Sequence, residues 1–131
     1  MAKVLLVEAV RTRRSLYEFD LQRDGHQILT AATPSEAVQL LERERPEVVV
    51  LDPEESGMGD VETLMRLHDP TAAVRVVVIS TVGGKGSEGR RSTADACLVR
   101  SSALQDLRDT VRSVLRKSRS GTIVPFRGRR S

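Results

Sequence analysis

Five short runs of β-branched and aliphatic residues punctuate the chain: KVLLV (3–7), QILTA (27–31), EVVVL (47–51), RVVVIS (75–80) and ACLV (96–99). They recur about every two dozen residues, with helix-type patterns between them. A Val/Leu/Ile run with no polar alternate face belongs to a strand covered on both sides, and intervals of this length suit the helical crossovers of a parallel sheet. The predicted fold is therefore α/β, a doubly wound five-stranded parallel sheet in one domain.

The helix signals agree. TPSEAVQLLERE offers Thr33 as N-cap, Pro34 at the first helical position and Glu36 for a capping box, with Ala37, Val38, Leu40 and Leu41 on one face. SALQDLRDTVRSVL repeats the device with Ser102 and Gln105, and Leu104, Leu107, Val111, Val114 and Leu115 follow helical spacing. Further helices are predicted over about 10–23 and 60–68. In the first of these Asp20 occupies a position where an apolar residue is expected. Residues 81–93 contain four glycines close together, so a fourth helix there is expected to be short or disordered. GGKGS within that stretch is no Walker loop, because Gly86 separates Lys85 from Ser87.

Of 131 residues, 1–115 hold all 18 acids and 15 of the 21 bases, a net charge of −3, and 116–131 carry six bases and no acid. The expected organisation is a folded domain over 1–116 and a flexible basic tail over 117–131. Contact of that tail with nucleic acid, acidic protein or a membrane is the lesser of its two readings, a solvated tail being the greater. No run is long and apolar enough for a membrane span, the N-terminus has no secretory pattern, and a cytoplasmic location is expected. One cysteine excludes an internal disulfide, and Cys97 reads as a small core residue. His26 and His68 supply neither a zinc spacing nor a Ser/His/Asp constellation.

Chemistry in a doubly wound sheet gathers outside the carboxyl ends of the strands. Those ends carry Glu8-Ala9, Asp52, Ser80-Thr81 and Arg100. Each alone is an ordinary turn or cap residue; together they make a carboxylate pair, a hydroxyl and a cation on one rim.

KVLLVEA, PEVVVLDPEESGMGDVETLMRL, VVVIST and ADACLVRS resemble the receiver domain of two-component response regulators over about residues 2–116. The resemblance implies a flavodoxin-like three-layer sandwich with strand order 2-1-3-4-5. It also implies Asp52 as acceptor of a phosphoryl group, Ser80 as switch hydroxyl, and Glu8, Asp52 and the Glu54 carbonyl as Mg²⁺ ligands. The backbone N–H groups of Glu54 and Thr81 would hold phosphoryl oxygens. The implied partners are a histidine kinase or phosphotransfer protein upstream and a protein partner downstream.

The departures bear on use. Ala9 stands where the family has a second acid, so Mg²⁺ is expected to bind weakly or not at all. Arg100 replaces the family lysine and is expected to pair with Asp52 or Glu8, since a guanidinium grips a carboxylate with two donors. Thr81 is bulkier than the usual residue, and Cys97 replaces the usual aromatic. Two functions follow: a phosphate-accepting receiver with an impaired metal site, and a phosphorylation-independent pseudo-receiver that acts as an interaction module.

Overall fold

The computed structural model describes residues 2–52, 74–80 and 94–116. Their elements are β1 (Lys3–Val7), α1 (Arg11–Gln22), β2 (Gln27–Ala31), α2 (Pro34–Glu44), β3 (Val48–Leu51), β4 (Arg75–Ser80), β5 (Ala96–Val99), a 3₁₀ turn (Arg100–Ser102) and α3 (Ala103–Arg116). The predicted helix over 60–68, the glycine-rich stretch 81–93 and the tail lie outside the described residues.

All five strands are parallel, in the order β2-β1-β3-β4-β5. Side chains alternate across the sheet, as the two-residue period of a strand requires. Val4, Leu6, Val48, Val50, Val77, Ile79 and Leu98 meet Tyr17 and Leu21 of α1 and Ala103, Leu107, Val111 and Val114 of α3. Leu5, Val7, Val49, Leu51, Val76 and Val78 form the opposite layer with Ala37, Leu40 and Leu41 of α2. Every residue of β3 and β4 is buried, which is why neither shows a polar alternate face in the sequence.

The helix termini test the capping signals. Thr33 Oγ1 accepts from the Glu36 N–H at 3.2 Å, and Glu36 Oε1 accepts in return from the Ala32 N–H at 2.7 Å, one residue ahead of the usual capping-box partner. Ser102 departs from expectation. Its hydroxyl donates back to the Val99 carbonyl at 3.4 Å, because residues 100–102 coil into a 3₁₀ turn that runs directly into α3. Gly25, at φ +83°, makes the left-handed step that turns the chain from α1 into β2.

Three expectations about individual side chains need correction or completion. Cys97 is exposed, not a core residue. It faces the α2 side of edge strand β5, whereas α2 packs over β1 and β2 and does not reach that far. Leu104, on the predicted apolar face of α3, is 45 % exposed near the N-terminal end of the helix. Asp20 is buried at 7 % exposure among apolar neighbours, as its position in the pattern implied, and is held there by charge. Its Oδ1 lies 3.3 Å from Arg108 Nε of α3, and Arg108 and Arg112 also reach Asp24, at 3.5 and 2.8 Å. This carboxylate–guanidinium lattice ties the end of α1 to α3.

Candidate functional site at the strand ends

Register builds the site. Val7 of β1 pairs with Leu51 of β3, so the next residues, Glu8 and Asp52, leave the sheet side by side. Leu51 pairs with Val78, placing Ser80 just beyond on the neighbouring strand, and Ser80 pairs with Val99, after which the chain reaches Arg100. Glu8, Asp52, Ser80 and Arg100 thus share one rim, as read from the sequence. Glu8, Asp52 and Ser80 are all buried, at 3, 2 and 0 % exposure. Two buried carboxylates require partners, since an ionised group removed from water without them is strongly disfavoured.

The partners are arginines. Arg100 Nη2 donates to Asp52 Oδ2 in a tight ion pair. The 3₁₀ turn that displaces Ser102 from its capping role begins at Arg100, so the turn holds the base of that side chain directly after β5.

Glu8 is held from its own side of the sheet. Its Oε2 accepts from the Val10 N–H at 3.0 Å and from Arg13 Nε at 3.2 Å, with Arg13 Nη2 at 3.1 Å. Arg14 Nη1 donates to the Glu8 carbonyl at 2.9 Å and approaches the Ala9 carbonyl at 3.3 Å. Arg13, Arg14 and Tyr17 were not among the residues the sequence marked. A signal for the arginines was present: RTRR puts cations in the first turn of α1, which carries no acid, at the helix end where the macrodipole favours negative charge. The adverse placement is offset by the buried carboxylate and carbonyls that these side chains reach.

Tyr17 lies beneath the cluster at 4 % exposure. Burial raises its phenol above the ordinary value, the Glu8 charge adds to the rise, and Arg100 and Arg13 oppose it. The single tyrosine therefore senses the charges of Glu8, Arg100 and Arg13.

Of the sequence-marked residues, Thr81 and the Glu54 backbone lie outside the described residues. Ala9 is exposed and offers no side-chain ligand atom. Among the described residues no group of three or more acidic, histidine or cysteine side chains gathers as a metal site. No described helix is long and apolar enough to cross a membrane.

No protein-family model matches the chain. A probable transcriptional regulator, ycf27 of Cyanophora paradoxa, is 27 % identical over 126 residues, covering 92 % of this chain and 51 % of that protein. Protein PilH of Pseudomonas aeruginosa is 27 % identical over 119 residues, 88 % of this chain and 98 % of PilH. The chain thus spans about half the length of the first relative and nearly all of the second. Among solved structures, the response regulator TrrA of Thermotoga maritima, in complex with Mg²⁺–BeF, superposes with a TM-score of 0.75 at 22 % identity, over 87 % of this chain and 99 % of TrrA. Its sequence relatives and its fold neighbours are response-regulator receiver domains, and this chain has their CheY-like fold, a five-stranded parallel sheet in the order 2-1-3-4-5.

Proposed function

We propose that this receiver accepts a phosphoryl group on Asp52 from a phosphohistidine of a kinase or phosphotransfer protein, and relays the change to a protein partner. The observation that carries the reading is the buried Asp52 carboxylate at the end of central strand β3, held by a cation from the end of β5. In the transfer an Asp52 carboxylate oxygen forms the new bond to phosphorus as the P–N bond breaks, and that bonding pair stays on the imidazole nitrogen. Catalysis of such a transfer is mostly positioning and charge stabilisation. Arg100 suits both tasks, because its planar fork can grip two oxygens of the incoming group. Ser80, fully buried one strand away, is the candidate hydroxyl to follow the phosphoryl oxygen.

The fold neighbour TrrA was solved in complex with Mg²⁺–BeF. Glu8 and Asp52 are the side chains that would contribute here, with the Glu54 carbonyl. They fit a divalent ion poorly: Ala9 supplies no oxygen, and both carboxylates already carry guanidinium partners. The same two ion pairs favour a second reading, a pseudo-receiver in which Arg100 and Asp52 form a structural lock and the domain docks partners without phosphorylation.

The two readings separate in one experiment. The protein and an Asp52→Asn control are incubated with a small phosphodonor and their intact masses measured. One phosphoryl group on the wild type and none on the control is the expected result. An unmodified wild type under forcing conditions would leave the pseudo-receiver reading.

A further inference from the structure

We infer that Arg13 and Arg100 together take the place of the divalent cation, so that this site is charge-balanced and works without Mg²⁺. The inference rests on the reading of Asp52 as phosphoacceptor and extends it to the cofactor requirement.

Charge is the first ground. In the receiver pattern two acids after β1, the phosphoacceptor aspartate and one lysine leave a net of two negative charges for a divalent ion to neutralise. Here Ala9 removes one acid, Glu8 and Asp52 remain, and each carries its own guanidinium. Among the described residues each of these two carboxylates is matched by a guanidinium, and a divalent ion would have to settle beside both positive charges.

Geometry is the second. Among the described residues the contacts to the Glu8 carboxylate, from Val10 N–H, Arg13 Nε and Arg13 Nη2, converge on Oε2. Metal ligation through that atom would displace a guanidinium and a backbone donor from a carboxylate only 3 % exposed. Mg²⁺ requires near-octahedral oxygen donors and surrenders its waters reluctantly, so a crowded carboxylate flanked by cations suits it badly. The guanidiniums suit the alternative task. The Arg13 and Arg100 side chains remain about one quarter exposed, at 26 and 25 %, so both positive charges face the side from which an oxyanion would arrive.

The third ground is the cost already accepted at α1. Cations in the first turn oppose the helix macrodipole, and Arg13 is placed there nonetheless, against Glu8. Arg13 is accordingly a positioning residue: its guanidinium holds the Glu8 carboxylate and opposes metal ligation there.

The test has two arms on the full chain. In the first, Mg²⁺ is titrated calorimetrically with no phosphodonor present, into the wild type and into an Ala9→Asp/Arg13→Ala double variant. The variant, with the acid restored and the competing cation removed, is expected to bind at least about tenfold more tightly, the scale on which supporting groups tune metal affinity. Equal affinity in the two proteins overturns the inference. In the second, phosphate incorporation is measured by intact mass with Mg²⁺ and with EDTA. Yields within about twofold of each other are expected, and a loss of about tenfold or more in EDTA overturns metal independence while leaving Asp52 as acceptor. If neither condition gives an adduct, the phosphoacceptor reading fails and the calorimetric arm alone decides the role of Arg13.

Discussion

Replacing Arg108 with Met keeps most of the aliphatic stem and removes the charge that faces Asp20. At 3.3 Å and an effective dielectric near 20, two unit charges attract by about 5 kcal/mol. Arg108 is one-third exposed, which lowers that figure toward the ~1 kcal/mol of surface pairs, while the Asp20 side chain is only 9 % exposed and its Oδ2 accepts no hydrogen bond from the described residues. Between these limits Arg108→Met is expected to cost about 2 kcal/mol, because it strands a buried carboxylate with only Arg23 at 4.0 Å. For a domain of this size that lowers Tm by about 6–10 °C. Asp20→Asn is the counterpart. It removes the buried charge, and Arg108 keeps Asp24 at 3.5 Å, so the expected loss is below about 1 kcal/mol. Thermal and urea unfolding followed by circular dichroism at neutral pH measure both. Arg108→Met should cost more than Asp20→Asn, and equal losses, or a larger loss for Asp20→Asn, would refute the pairing as the reason Asp20 is buried.

Thr33→Ala removes the acceptor for the Glu36 N–H and is expected to cost about 1 kcal/mol in urea unfolding. His26 accepts the Ala2 N–H on Nδ1 at 3.2 Å, and burial depresses its pKa below 6.5. Its contribution to stability is therefore complete above pH 6.5 and declines as pH falls from there toward the folded-state value. A His26→Gln protein should lose that part of the pH dependence in parallel melts. The Tyr17 phenol should titrate above 10.0 by ultraviolet absorbance, and higher again in Arg13→Ala, which removes an opposing positive charge; an unchanged or lower value would place Arg13 away from the ring. Cys97, being exposed on β5, should react with a thiol reagent in the folded protein at a rate close to that of the denatured chain, whereas strong protection would contradict its placement.

The sequence alone determined much of what depends on local pattern. Uninterrupted Val/Leu/Ile runs required two-sided cover, the crossover lengths required helices between parallel strands, and Thr33-Pro34-Ser35-Glu36 specified a helix start. The strand ends placed Glu8, Asp52, Ser80 and Arg100 on one rim, because parallel strands all deliver their carboxyl ends to the same edge. Partner choice was decided only in three dimensions. Asp20 broke the apolar pattern of α1 because its counterion lies 88 residues along the chain, on a helix brought alongside by packing. Cys97 reads as core in a run of four apolar residues, yet which face of an edge strand is covered depends on where α2 sits. Arg13 is one of three cations in RTRR, and only the packing of α1 beside β1 brings it onto a buried carboxylate. Periodicity follows from the backbone's own geometry and is written locally, whereas the pairing of charges depends on distances that exist only once the sheet and its helices have assembled.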